Sequence, residues 1–85
     1  MVKISIIIVS YNGLEHLDDC FKALDNQTYK DFETIMVDNG SKDSSVEFVQ
    51  KNFPSVKIVK LSKNLGFTGG NNEGIKYINF REFSG

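Results

Sequence analysis

The chain has 85 residues, with 10 Lys+Arg against 11 Asp+Glu and a formal net charge of −1. That length falls below the usual domain size of about 100–150 residues and leaves room for one small domain. The balanced charge excludes a nucleic-acid binder that works by neutralising phosphates, and a single cysteine, Cys20, excludes an internal disulfide.

The first predicted strand is Ile4 to Val9. Its apolar run Ile6-Ile7-Ile8-Val9 is far shorter than the roughly 20 residues of a membrane span. It ends at Ser10-Tyr11-Asn12 without the small-residue cleavage site of a signal peptide. Near-continuous isoleucine and valine suit a strand covered on both faces, as in a parallel sheet. Leu14, Leu17, Phe21 and Leu24 then recur at spacings of 3, 4 and 3, the apolar stripe of a helix. Asn12 is placed to cap it, with Glu15 in the capping-box position, and Asp18 and Lys22 form an outward i,i+4 pair.

Phe32 to Val37 is the second strand. The second helix starts at the Ser44-Ser45-Val46-Glu47 capping pattern, carries Val46, Val49 and Phe53, and must end by Pro54, the chain's one proline. Val56 to Leu61 partly alternates, as a strand nearer a sheet edge does. A third helix is expected after Gly69 and Gly70, with Ile75 and Ile78 facing inward and Gly74 weakening it.

The order β-α-β-α-β-α implies parallel pairing: an α/β, three-layer, Rossmann-like half of a doubly wound sheet. In such sheets ligands bind beyond the carboxyl ends of the strands. Here those ends are Ser10-Tyr11-Asn12-Gly13, Asp38-Asn39-Gly40-Ser41 and Ser62-Lys63-Asn64-Leu65-Gly66. A carboxyl at position 38 can accept from a ribose hydroxyl or a pyrimidine N–H; equally, Asp-Asn-Gly-Ser is strong turn chemistry, and Asp38 or Ser41 can cap the next helix. The Tyr11 ring either stacks on a base or packs. The glycines from Gly66 to Gly70 could let backbone N–H groups approach a diphosphate, although neither a Walker loop nor a G-x-G-x-x-G fingerprint is present. His16 and the Asp18-Asp19 pair read as solvated surface, Cys20 as packed, and no cluster has metal-ligand spacing.

Together, Ser5-Ile6-Ile7-Ile8-Val9-Ser10-Tyr11-Asn12, Ile35-Met36-Val37-Asp38-Asn39-Gly40-Ser41-Lys42-Asp43 and Asn64-Leu65-Gly66-Phe67-Thr68-Gly69-Gly70-Asn71-Asn72 resemble the N-terminal half of family-2 glycosyltransferases. These are inverting enzymes of the A-type nucleotide-diphospho-sugar transferase fold. The Gly-Phe-Thr-Gly-Gly-Asn-Asn form looks most like their rhamnosyl- and galactofuranosyl-transferase branch. The resemblance implies a donor pocket for a UDP- or dTDP-sugar. In it Tyr11 borders the base, Asp38 accepts from the pyrimidine N3–H, and Gly66, Phe67, Gly70 and Asn71 lie along the ribose-diphosphate path. Asn12, Asn39 and Asn64 complete the expected nucleotide-sugar-binding set. Many relatives have an arginine where Asn71 stands.

The family's Asp-x-Asp motif, which holds Mg²⁺ or Mn²⁺, and its catalytic base have no counterpart after Gly70. Residues 1–85 are therefore expected to be one truncated, nucleotide-sugar-binding half-domain, inactive in isolation and holding no cofactor itself. The resemblance also implies cell-surface polysaccharide synthesis and a cytoplasmic location, the longer parent lying against the inner membrane face. A non-catalytic nucleotide-binding or regulatory α/β module is the alternative. The first strand, central in the family's sheet, is expected to be an open apolar edge here and to pair with a second copy.

Overall fold

The computed structural model describes residues 4–27 and 31–84, the side chains of 80–84 excepted. The elements are β1 (Ile4–Ser10), α1 (Leu14–Asp25), β2 (Phe32–Asp38), α2 (Ser45–Asn52), β3 (Lys57–Lys60) and α3 (Gly66–Ser84). The strands form one parallel sheet in the order β1-β2-β3, so the expected three-layer α/β architecture is the observed one. β2 is central and its Ile35, Met36 and Val37 are fully buried. β1 and β3 form the two edges of this sheet, and β3 is shorter at both ends than the alternation suggested.

Side chains alternate across a strand, and the register makes Ile8, Met36 and Ile58 neighbours on one face. That face carries α1 and α2: Leu17, Phe21, Val46 and Val49 pack on Met36, with Ile8, Ile58 and Phe53 closing around them. The Phe21 and Phe53 rings lie 5.3 Å apart in a tilted pair. Each such burial contributes about 1.5–3 kcal/mol, and this cluster is the main core.

The opposite face carries α3, and here the expectation was wrong. The helix begins at Gly66, before the glycines rather than after them; of the two residues expected to face inward, Ile75 is 47% exposed, while Ile78 is partly buried. The residues against the sheet are Gly70 and Gly74. A Cβ at Gly74 would stand 2.9 Å from Ile7 Cγ2 and 3.2 Å from Val37 Cγ2; one at Gly70 would stand 2.7 Å from Val9 Cγ1. Glycine is what lets the helix axis approach this closely. Gly74→Ala gains about 1 kcal/mol of helix propensity but meets an overpacking cost of about 1–3 kcal/mol. It should therefore lower the melting temperature by several degrees in a circular-dichroism melt; a higher one would show that α3 can lift off without cost.

The caps also differ from expectation. Asn12 does not cap α1; Gly13 holds that position with no side-chain bond, because Asn12 turns left-handed (φ 49°) and directs its side chain elsewhere. Glu15 lies beside His16 on the exposed surface rather than in a capping box. Ser44 starts α2 but likewise makes no side-chain cap bond. The Asp18–Lys22 pair forms as expected, at 2.8 Å. No helix among the described residues is long and apolar enough to cross a membrane.

Candidate functional site at the strand ends

The carboxyl ends of the three strands are tied into one rim. Ser10 stands opposite Asp38 and Asp38 opposite Lys60. The ladder continues past them, with Asn39 N donating to Ser10 O at 2.8 Å and Leu61 N to Asp38 O at 2.9 Å. Asp38 thus occupies the middle of the rim, and it is completely buried. Its Oδ2 accepts from Ser41 N at 3.0 Å. Its Oδ1 is buried with no donor among the described residues. An acceptor in that state costs about 1–3 kcal/mol relative to a satisfied one, so it is either a strain left uncompensated or a place kept for a ligand N–H.

The surrounding loops are latched across the chain. Asn12 N donates to Ser41 Oγ and Lys42 N donates to Asn12 Oδ1, each at 2.8 Å, joining the loop after β1 to the loop after β2. Asp43 lies just beyond. Its Oδ2 accepts from Leu14 N at 3.2 Å, the first N–H of α1, and its Oδ1 from Ser45 N at 3.0 Å and from the Ser45 hydroxyl. One carboxyl therefore serves two helix starts. The Ser45 hydroxyl, helped by the N–H groups of Ser45 and Leu14, holds its pKa below the ordinary value of 3.8.

On the other flank, Leu65 N donates to Asn39 Oδ1 at 2.8 Å and Asn39 Nδ2 donates to Gly66 O at 2.9 Å. Asn64 Oδ1 accepts from Gly66 N at 2.7 Å. Gly40 (φ 81°) has no room for a side chain, since a Cβ would stand 2.8 Å from the Lys63 backbone.

Several expected ligand contacts are therefore occupied with structure. Asn39 is 2% exposed and both ends of its amide are committed to backbone. Gly70 is buried and faces Val9, and the glycine run is a helix start rather than an open loop. Asn12 and Asn64 are exposed but hold the rim together. Tyr11 (48% exposed) and Phe67 (74% exposed) present open aromatic surface, Gly66 takes a left-handed turn at φ 77°, and Asn71 is half-buried. Asp38 and Ser41, read as alternative caps of the next helix, instead close a turn on each other, and Ser41 Oγ accepts from Asn12 N, while Ser44 holds the cap position. Asp43 was not singled out from sequence, although an aspartate two residues before a helix start is a readable signal.

Cavity volume points elsewhere. A hollow of about 470 Å³ lies at the opposite end of the sheet, lined by Phe21, Phe32, Phe53 and Lys57 among others. A second, of about 300 Å³, runs under β1 past Tyr11, His16 and Cys20. Asp38 lines neither, so no hollow described here joins it to Tyr11. The orphaned oxygen outweighs volume: the larger hollow does carry Asp25, Glu33, Asn52 and Lys57, but it opens where the strands begin, whereas parallel sheets bind ligands beyond the carboxyl ends of their strands. Among the described residues no three His, Cys, Asp or Glu side chains gather to hold a metal ion.

The family model described as "Glycosyl transferase family 2" matches residues 5–79. The cholesterol galactosyltransferase of Borreliella burgdorferi is 37% identical over 75 residues, covering 86% of this chain and 21% of that protein. The poly(ribitol-phosphate) beta-glucosyltransferase of Bacillus spizizenii is 36% identical over 81 residues, covering 88% of this chain and 13% of its own length. The crystal structure of S. aureus TarS 1–349 superposes with a TM-score of 0.68 at 28% identity, covering 76% of this chain and 20% of that one. The chain thus spans a quarter or less of the length of each of these relatives.

Proposed function

The chain belongs to glycosyl transferase family 2, and on that premise we propose that its rim binds the nucleotide of a UDP- or dTDP-sugar, the donor for inverting transfer to an acceptor hydroxyl. The observation that supports this most is the buried, donorless Asp38 Oδ1. A uracil or thymine ring offers an N3–H there, whereas cytosine presents a lone pair and would leave two acceptors facing each other. Because Oδ1 is closed to solvent, the base enters as the rim parts, and the exposed Asn12–Ser41 bond is the contact able to yield. Tyr11 then supplies a stacking surface and Gly66, Phe67 and Asn71 the path for the diphosphate. Lys42, Lys60 and Lys63, all exposed near the rim, bring positive charge where many relatives place an arginine at position 71.

Calorimetric titration with UDP, dTDP, CDP and GDP tests the reading. Saturable binding of UDP or dTDP, about tenfold or more tighter than CDP, is the expected result, a gap of about 1.4 kcal/mol. Equal affinity for all four, or none, defeats it. The sugar belongs to the proposal too: the rhamnosyl or galactofuranosyl branch rests on the Gly-Phe-Thr-Gly-Gly-Asn-Asn form, while the relatives above are named for galactosyl and glucosyl transfer. We propose a cytoplasmic location and work on cell-surface polymers, the latter in keeping with the poly(ribitol-phosphate) name of one of them.

By itself this chain turns over no donor on this reading, since its sequence carries no Asp-x-Asp motif to hold a metal against the diphosphate. Release of UDP or dTDP from the sugar nucleotide by purified chain, abolished by Asp38→Ala, would overturn that. The open β1 edge, with Ile4 half-exposed, is proposed to pair with a second copy. Sedimentation should show a dimer at high concentration; a monodisperse monomer there counts against pairing.

A further inference from the structure

Asp38 and Asn39 are adjacent in sequence yet do different things. Asp38 keeps an oxygen unpaired, while the buried Asn39 amide closes on the backbone of Leu65 and Gly66 from both sides. An amide suits this because it carries an acceptor and a donor on one rigid plane. Aspartate would lose the donor to Gly66 O, and serine lacks the span. With Asn64 holding Gly66 N, two side chains fix Leu65 N, Gly66 N and Gly66 O, and hold Gly66 in the left-handed turn that starts α3. Asn39 is itself anchored, its N–H extending the sheet to Ser10 O. Gly70 leaves the room: a Cβ there would come within 3.3 Å of Asn39 Nδ2.

We infer that Asn39 is a positioning residue of the donor site, holding the 64–67 corner at a fixed place relative to Asp38 so that base and diphosphate are met together. The inference rests on the donor reading above and adds that Asn39 acts through the corner, without touching the ligand. It predicts a split between the two ends of the nucleotide. Loosening the corner leaves recognition of the base at Asp38 intact and removes what the phosphates add.

The test is titration of the ¹⁵N-labelled chain with uridine and with UDP, in wild type, Asn39→Ala and Asn64→Ala. Wild type should bind UDP more tightly than uridine, with shifts at the Ser41 amide for both ligands and at Phe67 and Thr68 for UDP. Asn39→Ala should leave uridine affinity and the Ser41 response unchanged, weaken UDP about tenfold, and silence Phe67 and Thr68. Asn64→Ala, on the exposed side of the same corner, should act in the same direction more weakly, and it reads the result if Asn39→Ala does not fold. Equal loss for uridine and UDP, or undiminished UDP binding, overturns the positioning role while the donor reading stands. A wild-type chain that binds neither ligand overturns the donor reading and this inference with it.

Discussion

Asp38→Asn should melt at a higher temperature than wild type and bind UDP more weakly, by about tenfold or more. The substitution keeps an acceptor for Ser41 N and replaces an ionisable carboxyl, buried with one oxygen unpaired, by a neutral amide that costs less to bury. A gain of about 1 kcal/mol is expected, which for a domain of this size is roughly 4–8 °C. The loss on the ligand side is larger. A hydrogen bond to a charged acceptor is worth about 1.5–3 kcal/mol, so UDP affinity should fall by about tenfold or more. A variant that melts lower would show that Oδ1 finds a partner in the free chain, and one that still prefers uracil to cytosine would remove Asp38 from base recognition. Opposite signs for stability and binding are what a strained functional group produces.

Asp43→Ala should give the largest loss of stability among the rim substitutions. It withdraws the acceptor from the first N–H of α1 and from the start of α2 in one step. Losing a single cap costs about 0.5–2 kcal/mol, so two suggest about 2 kcal/mol and a fall of about 8–16 °C in thermal melts. The pH dependence fixes the cause. Hydrogen bonds from Ser45 and Leu14 lower the Asp43 pKa in the folded chain below 3.8. Its contribution is therefore complete above that ordinary value and disappears as acid carries the pH down through the lower, folded value. The gap between wild type and variant should be the same at neutral and mildly acidic pH and should close below about pH 4. A gap that stays constant into strong acid would assign the effect to packing instead.

Strand and helix order was legible in the sequence because hydrophobic period and chain order constrain it strongly. Ile6 to Val9 and Thr34 to Val37 are short, β-branched runs that suit a buried strand, and Leu14, Leu17, Phe21 and Leu24, spaced 3, 4 and 3, could share a face only on a helix. α3 was misplaced because its inward face is made of Gly70 and Gly74, which carry no apolar signal; a search for hydrophobic residues finds Ile75 instead, on the exposed side. Which residues stand at the strand ends was legible, but not how they are wired to one another. Asn39 reaches Leu65 across 26 positions and Asp43 reaches Leu14 across 29, and nothing local distinguishes an asparagine that grips backbone from one that would grip a ligand. Asn12 shows the same limit: it reads as a helix cap until its left-handed backbone turns the side chain toward Lys42.

The sheet order has a consequence for folding speed. Each described strand pairs with its immediate predecessor through a single intervening helix, so the loops closed by the β1–β2 and β2–β3 pairings are short and cost little entropy. Pairings this local in sequence are of the kind that form early, with α1 able to close over β1 and β2 before β3 docks.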